Sequence, residues 1–347
     1  MENKRVLIGM SGGVDSSVAA ILLKEKGYEV VGITLQMYKK ENENIDEDAK
    51  SMCEFLGIEY HSYDCSKEFN HYVIDDFISC YKNCKTPNPC IECNKYMKFG
   101  IMAEKAKELN CSYIATGHYA SIQYSEKYGR HVLKKSKAGY KDQSYVLWSI
   151  DKNLLPNIIF PLSEFKSKDE IRKIAMDRNL KVANKPDSED ICFIEDGDYK
   201  RFLEEHSNMD TCIGNIVNTK NMVLGKHNGL HRYTIGQRRG LGISNKTPLF
   251  VLGFNKDKNE VIVGEEEELF SKEILVTDVN LLLIDKLTSP MDVTIKTRYS
   301  SKEAKGTIYP MGENIKVVFD EPQRAVTPGQ SAVFYTEDIV VGGGKIV

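Results

Sequence analysis

No stretch of this chain approaches the roughly 18–20 consecutive apolar residues that a membrane-spanning helix requires, so no membrane partner is expected. The opening MENKRVLIGMSGG holds too short an apolar run for a secretory signal and passes directly into a glycine turn. An excess of either charge is also missing: Lys+Arg number 47 against 50 Asp+Glu, for a net charge of -3. A nucleic-acid partner would therefore have to be met by a local basic surface. Internal repeats and low-complexity tracts are absent. Disulfide scaffolding is not expected either. Nine cysteines in a chain without an export signal should stay reduced, in a cytoplasmic setting. Their odd, unevenly clustered number points to thiol or metal chemistry.

What the chain does have is an ordinary globular composition, 41% hydrophobic and 28% charged over 347 residues, enough for two or three domains. Its first half alternates strands and helices. Val6–Met10, Glu29–Leu35, Glu59–Tyr63 and Ser112–Thr116 read as strands, with amphipathic helices at Asp15–Lys26, Asp46–Leu56, Gly100–Leu109 and Lys166–Leu180. That alternation predicts an α/β fold with a doubly wound parallel sheet. After about residue 205, short strands separated by Gly, Asn and Pro take over, which suggests small β-rich units. The expected division is a catalytic domain over 1–204, a small β-rich linker domain over 205–272 and a terminal β-barrel over 273–347.

The first strand runs into SGGVDSS (Ser11–Ser17) and a helix. Two glycines permit a sharp turn, and N–H groups at a helix start can point at phosphate. The lysine of the common P-loop motif is missing. A lysine-free loop of this form resembles the PP-loop of ATP pyrophosphatases, which cleave ATP between the α- and β-phosphates. On that resemblance Gly9, Met10, Ser11, Gly12, Gly13, Val14, Asp15, Ser16 and Ser17 bind ATP and Mg²⁺.

TPNPCIECNKYMKFG (residues 86–100) places Cys90 and Cys93 on a loop, with Pro87 and Pro89 keeping the preceding backbone extended. Cys80 and Cys84, four apart at a helix end, raise a four-thiolate zinc site, although zinc ribbons usually bring two turn-borne pairs. Cys53, Cys65, Cys111 and Cys212 read as packed or surface thiols. Cys192 follows an acidic loop and is flanked by Ile191 and Phe193, so taken alone it reads as core.

GMSGGVDSS, TPNPCIECNKYMKF, YIATGHYA, KDQSYVL, DSEDICFI, HRYTIGQRRGLGI, TRY and FDEPQRAVTPGQSAVFY follow one another along essentially the whole chain. In order and spacing the set resembles the tRNA-specific 2-thiouridylases of the MnmA type. The resemblance implies ATP-dependent replacement of O2 by sulfur at the wobble uridine of tRNAs for Lys, Glu and Gln. It implies a PP-loop domain, a linker domain and a C-terminal β-barrel. Leu35 and Gly117 would join the ATP pocket. Asn88, Pro89 and Cys90 would lie against the flipped base. His118, Lys141, Asp142, Gln143, Arg298, Tyr299 and Gln330 would contact tRNA. Cys93 becomes the nucleophile and Cys192 the persulfide carrier. A cysteine desulfurase, a sulfur-relay protein or inorganic sulfide would supply the sulfur.

Cys90 departs from the family pattern, which has Asp at that place. This removes an expected carboxylate and creates a set of three cysteines, Cys90, Cys93 and Cys192, suited to a 4Fe-4S cluster with one free iron. The persulfide and cluster routes both stand open at this point. Residues 220–246 carry Lys220, Lys226, Arg232, Arg238, Arg239 and Lys246 with no acid, a basic stripe suited to RNA. Two rivals share part of the pattern. An amidating PP-loop synthetase would need neither the cysteines nor the barrel, and a zinc-dependent RNA-binding protein would need Cys80 and Cys84.

Overall fold

Short apolar runs alternating with amphipathic helices build the first of three sheets. The computed structural model describes residues 4–38, 45–184, 191–194, 196–207, 209 and 212–347. Strands β1 (Arg5–Gly9), β2 (Glu29–Gln36), β3 (Glu59–Asp64) and β4 (Tyr113–Ala115) are joined, after the hairpin β5 (Ala120–Ser125) and β6 (Arg130–Lys135), by β7 (Ile158–Ile159). The order is β3-β2-β1-β4-β7, parallel throughout. Val6, Leu7 and Ile8 are fully buried, as a central strand covered on both faces requires. The sheet grows from β1 toward β2 on one side and β4 on the other, so the C-terminal end of β1 is the topological switch point where ligands of such folds bind.

The covering helices are α1 (Val14–Glu25), α2 (Ile45–Leu56), α3 (Ser66–Phe69), α4 (Asp75–Lys82), α5 (Pro89–Glu92), α6 (Met102–Glu108), α7 (Lys168–Asp177) and α8 (Tyr199–Ser207). Residues 70–74, between α3 and α4, and Cys93–Ile101, between α5 and α6, wind with π-helical geometry. Such widened turns are rare and concentrate at functional sites. The helix expected from Gly100 therefore begins a full segment earlier, at Pro89.

Strands β8 (Ile213–Asn218), β9 (Val223–Asn228), β10 (Phe250–Asn255) and β11 (Glu260–Gly264) form the small second sheet, in order β10-β11-β8-β9. Six strands follow: β12 (Phe270–Leu281), β13 (Met291–Lys296), β14 (Ala304–Met311), β15 (Asn314–Arg324), β16 (Ser331–Thr336) and β17 (Ile339–Ile346). They run β12-β15-β14-β13-β16-β17, and β12 pairs again with β17 to close a barrel. The parallel sheet, the small β unit and the terminal barrel all match the fold expected from the sequence.

The barrel is bound to the first unit in a way the sequence does not announce. Strand β6 adds to β17 at Ile339↔Lys134. The Asn280 amide donates to the carbonyls of Trp148 (2.7 Å) and Ile150 (2.9 Å). One apolar core unites Ile91, Phe99, Tyr145 and Trp148 with Leu282, Val333, Tyr335 and Val340 of the barrel. Among the described residues no helix is long and apolar enough to cross a membrane.

Candidate functional site

Gly12 takes φ +65°, the left-handed conformation the turn after β1 demands, and Gly13 starts α1 with no side chain to cap it. The first amides of α1 are thus left for a ligand. Within the loop the Ser17 hydroxyl donates to the Gly13 carbonyl (2.8 Å), and the Ser11 N–H donates to the Ser16 hydroxyl (3.3 Å). Met10 is fixed from both sides: its N–H donates to Ile33 O (2.8 Å) and its carbonyl accepts from the Thr34 hydroxyl (2.9 Å). Leu35, at the end of β2, is partly buried against two cores.

Two residues that the sequence reading passed over complete this loop. Lys168, 8% exposed, pairs with Asp15 Oδ2 at 2.9 Å, and the Tyr119 hydroxyl donates to Asp15 Oδ1 at 2.9 Å. The helix carrying Lys168 was legible from its periodicity and from Ser167, whose side chain caps it. A partner 153 residues distant was not. The loop's missing lysine is therefore matched by one from α7. Gly117 belongs to the same junction, because a Cβ there would lie 3.0 Å from Asp15 C and Ser16 N. The close approach it permits is to the backbone of α1 itself.

The cysteine pair departs from expectation in its local structure. Cys90 and Cys93 stand on the first turn of a helix: Asn88 is the N-cap, its side chain accepting from Cys90 N (3.2 Å), and Pro89 is the first helical residue. Asn88 before Pro89 is extended, as the prolines require, but Asn-Pro is also a helix-start signal, and the cysteines follow it into a helix and not a loop. Cys90 is exposed and Cys93 is buried. Burial pushes the Cys93 thiol up to about 12, opposed by Lys98 and reinforced by Cys192 and Cys90. Its Sγ lies 3.7 Å from Met37 Sδ. The next residue, Asn94, is 1% exposed and anchors the turn through a 2.9 Å bond to Val146 O.

Cys192 is exposed, between Ile191 and the buried Phe193. The acidic part of its block, residues 187–190, lies outside the described residues. Among the described residues no three His, Cys, Asp or Glu side chains come close enough to hold a metal ion. As placed, with Cys93 turned toward Met37 and two exposed partners, the three cysteines do not fit an iron–sulfur cluster. Cys80 on α4 and Cys84 just beyond it form no such group either.

Several residues expected to face tRNA are engaged within the protein. The Arg298 guanidinium donates to the carbonyls of Ile235 (3.2 Å) and Ala325 (3.0 Å) and to the Thr327 hydroxyl. Burial lowers its pKa. Asp142 Oδ1 accepts from Ser136 N (2.9 Å) and its Oδ2 from the Ser144 hydroxyl (2.7 Å). Gln143 exchanges two bonds with the backbone of Tyr119, at 2.9 and 2.8 Å. Gln330 Nε2 donates to the carbonyls of Thr86 (2.9 Å) and Pro87 (3.2 Å). His118 is 7% exposed, bonded to the Thr116 hydroxyl at 2.7 Å and set between Phe99 and Phe160. Burial holds its pKa well below 6.5, helped by Lys98. Direct contact with RNA would need this ring to be uncovered.

Other expected contacts remain open to solvent. Tyr299 is 39% exposed, with Lys296 Nζ 5.6 Å from its ring centroid. Burial raises its pKa, as do the nearby Asp142 and Cys90, while Lys141 opposes them. Lys141, Tyr299 and Cys90 thus share one region. In the basic stripe Lys220, Arg238, Arg239 and Lys246 are exposed, whereas Arg232 pairs with Glu204 (2.6 Å) and Lys226 with Asn215 (2.7 Å). Two cavities of about 370 and 380 Å³ open in this stripe, one lined by Arg238 and Lys246, the other by Lys200, Arg232 and Arg239.

Three family models match the chain in succession: a tRNA methyl transferase HUP domain over residues 4–196, a tRNA methyl transferase PRC-barrel domain over 200–265 and an aminomethyltransferase β-barrel domain over 271–346. The tRNA-specific 2-thiouridylase MnmA of Clostridioides difficile is 46% identical, covering 99% of this chain and 98% of its own. Its counterpart in Halothermothrix orenii is 47% identical with the same coverage. Among solved structures, a 4-thiouridine synthetase–RNA complex with bound ATP aligns at 20% identity over 52% of this chain and 42% of its own, with a TM-score of 0.36.

Proposed function

The chain belongs to the tRNA-specific 2-thiouridylase family and is a sulfurtransferase, and from that premise we propose that it replaces O2 of the wobble uridine with sulfur in tRNAs for Lys, Glu and Gln. The uracil oxygen cannot leave unaided. It attacks the α-phosphorus of ATP, pyrophosphate departs, and O2 becomes part of a good leaving group. The uncapped start of α1 and the glycines before it receive the phosphates, where amide dipoles meet the developing charge. Asp15, held by Lys168 and Tyr119, keeps that first turn in place. Mg²⁺, when bound with ATP, would neutralise phosphate charge beside Asp15, Ser16 and Ser17 of the loop.

Sulfur arrives as a persulfide on Cys192, whose exposure lets a donor protein that itself carries a persulfide pass its outer sulfur to the Cys192 thiolate and leave as a thiolate. The terminal sulfur attacks C2, and AMP leaves with the former O2. The Cys93 thiolate then attacks Cys192 Sγ, breaking the S–S bond. The outer sulfur stays on the uracil, and a Cys93–Cys192 disulfide remains for a dithiol to reduce. Only the thiolate performs this attack. With its pKa pushed to about 12 by burial, Cys93 rests protonated, and docking of the tRNA must uncover it. Tyr299 and Lys141 beside Cys90 suit the flipped base and its backbone, and the exposed arginines of the middle unit suit more distant phosphates.

The observation that carries this reading is the match over 99% of the chain, in which the SGGVDSS loop stands at the switch point of the parallel sheet. Unmodified tRNA transcripts, ATP and a cysteine desulfurase with cysteine as the persulfide donor, followed by nucleoside analysis, test it: 2-thiouridine should form at the wobble position. Cys93→Ala and Cys192→Ala should each reduce it by more than about 100-fold. Loss of neither would refute the assignment. Iron and sulfide assay after anaerobic purification separates the persulfide route from a cluster route, which would show stoichiometric iron and need Cys90.

A further inference from the structure

The turn that carries the two candidate cysteines is gripped by the barrel at both ends. At its start, Thr86 N donates to Pro328 O (2.9 Å), and Gln330 bonds the Thr86 and Pro87 carbonyls. Gly329 lies flat on the same segment, at φ +89°, where a Cβ would come within 2.9 Å of Thr86 N. At the other end Lys345 of β17 pairs with Glu92 Oε1 at 2.9 Å and stands 3.6 Å from Asp76 Oδ1. These barrel residues are themselves tied together, Gly329 N to Ile346 O and Ile346 N to Gln330 O.

Glu92 is the unusual member. It sits between Cys90 and Cys93 in the C-x-x-C, yet it is only 7% exposed. A carboxylate buried there repels any thiolate formed beside it, unless a cation neutralises it. Lys345 supplies that cation from another domain. Burial works against the charge on Lys345, and Glu92 and Asp76 more than restore it.

We propose that Glu92 and Lys345 form a positioning pair through which the barrel holds the Cys90–Cys93 turn for sulfur delivery, while uridine activation at the phosphate loop proceeds without it. This rests on the two-stage reaction proposed above. Contacts from Ile33, Thr34, Tyr119 and Lys168 hold the phosphate loop from outside the barrel.

The experiment compares full-length wild type, Glu92→Gln, Lys345→Met and the charge-swapped Glu92→Lys/Lys345→Glu, using tRNA transcript, ATP and a cysteine desulfurase with cysteine as the persulfide donor. Pyrophosphate and 2-thiouridine are counted within the first turnover of the same reactions, and thermal melts confirm folding. Wild type should release pyrophosphate and form thiouridine in near-equal amounts. In the two single variants, of which Glu92→Gln keeps the side-chain shape, the ratio of pyrophosphate to thiouridine should rise about tenfold. Pyrophosphate release should meanwhile change less than about twofold, and the charge swap should bring the ratio back toward wild type. An unchanged ratio, or a parallel fall of both products, would overturn the positioning role. Wild type that makes no thiouridine would instead overturn the reading of function on which the pair depends.

Discussion

The phosphate loop and the cysteine turn both begin a helix with a tight backbone feature, yet they are held in opposite ways. Ser16 and Ser17 bond the Gly13 carbonyl, Met10 bonds the neighbouring strand, and the partners of Asp15, Tyr119 and Lys168, belong to the same unit. Thr86–Cys93 hangs between its own helix and a barrel more than 200 residues away in sequence. On the proposed mechanism, activation rests on the strand–turn–helix, and sulfur delivery depends on how two units dock.

Changes at the loop should therefore strike activation alone. Asp15→Asn weakens the Lys168 pair and is expected to lower tRNA-dependent pyrophosphate release by about 100-fold, measured with a coupled pyrophosphate assay. Iodoacetamide labelling of Cys90 and Cys192 should stay as in wild type; altered labelling would mean the two regions are not separate. Gly117→Ala presses a methyl group onto the backbone of Asp15 and Ser16. Such overpacking costs about 1–3 kcal/mol, and ATP KM should rise about tenfold with the melting profile of the barrel unaffected.

The docking side can be tested through Arg298, which the family resemblance assigns to tRNA. Bonded to Ile235, Ala325 and Thr327, it joins the middle unit to the barrel. Arg298→Met should lower stability by about 1–3 kcal/mol, seen in urea unfolding, while the salt dependence of tRNA binding keeps its slope. A slope reduced by about one would show that Arg298 meets a phosphate after all.

The smallest expected effect is one of pH. His118 is buried and neutral, with its pKa held well below 6.5, so the unfolded chain binds its proton first as pH falls. Its contribution to stability is complete above pH 6.5 and is lost progressively below. His118→Gln should flatten the acid limb of the stability curve by at most about 1.4 kcal/mol per pH unit. An unchanged limb would place the ring in solvent.

The parallel sheet and the phosphate loop were legible because their causes are local: runs such as Val6–Ile8, glycines at a strand end, helical spacing in α1. The cysteine turn was half legible. Its cysteines stand out and Asn88 is extended before Pro89, but the loop expected for Cys90 and Cys93 is the start of a helix that Asn88 caps. Gln143, Arg298 and Gln330 are assigned to tRNA by the resemblance, and their bonds to backbone groups arise only through folding. Lys168 and Tyr119 were invisible as site residues for the same reason. The addition of β6 to the barrel sheet, which makes two units share one core, has no local signature at all.

The most direct test of this division is tRNA-dependent pyrophosphate release by Cys93→Ala. Activation that is independent of the cysteine turn should leave release close to the wild-type rate for the first turnover while 2-thiouridine disappears. Thiouridine formed at the wild-type level, or pyrophosphate release lost together with it, would contradict the account.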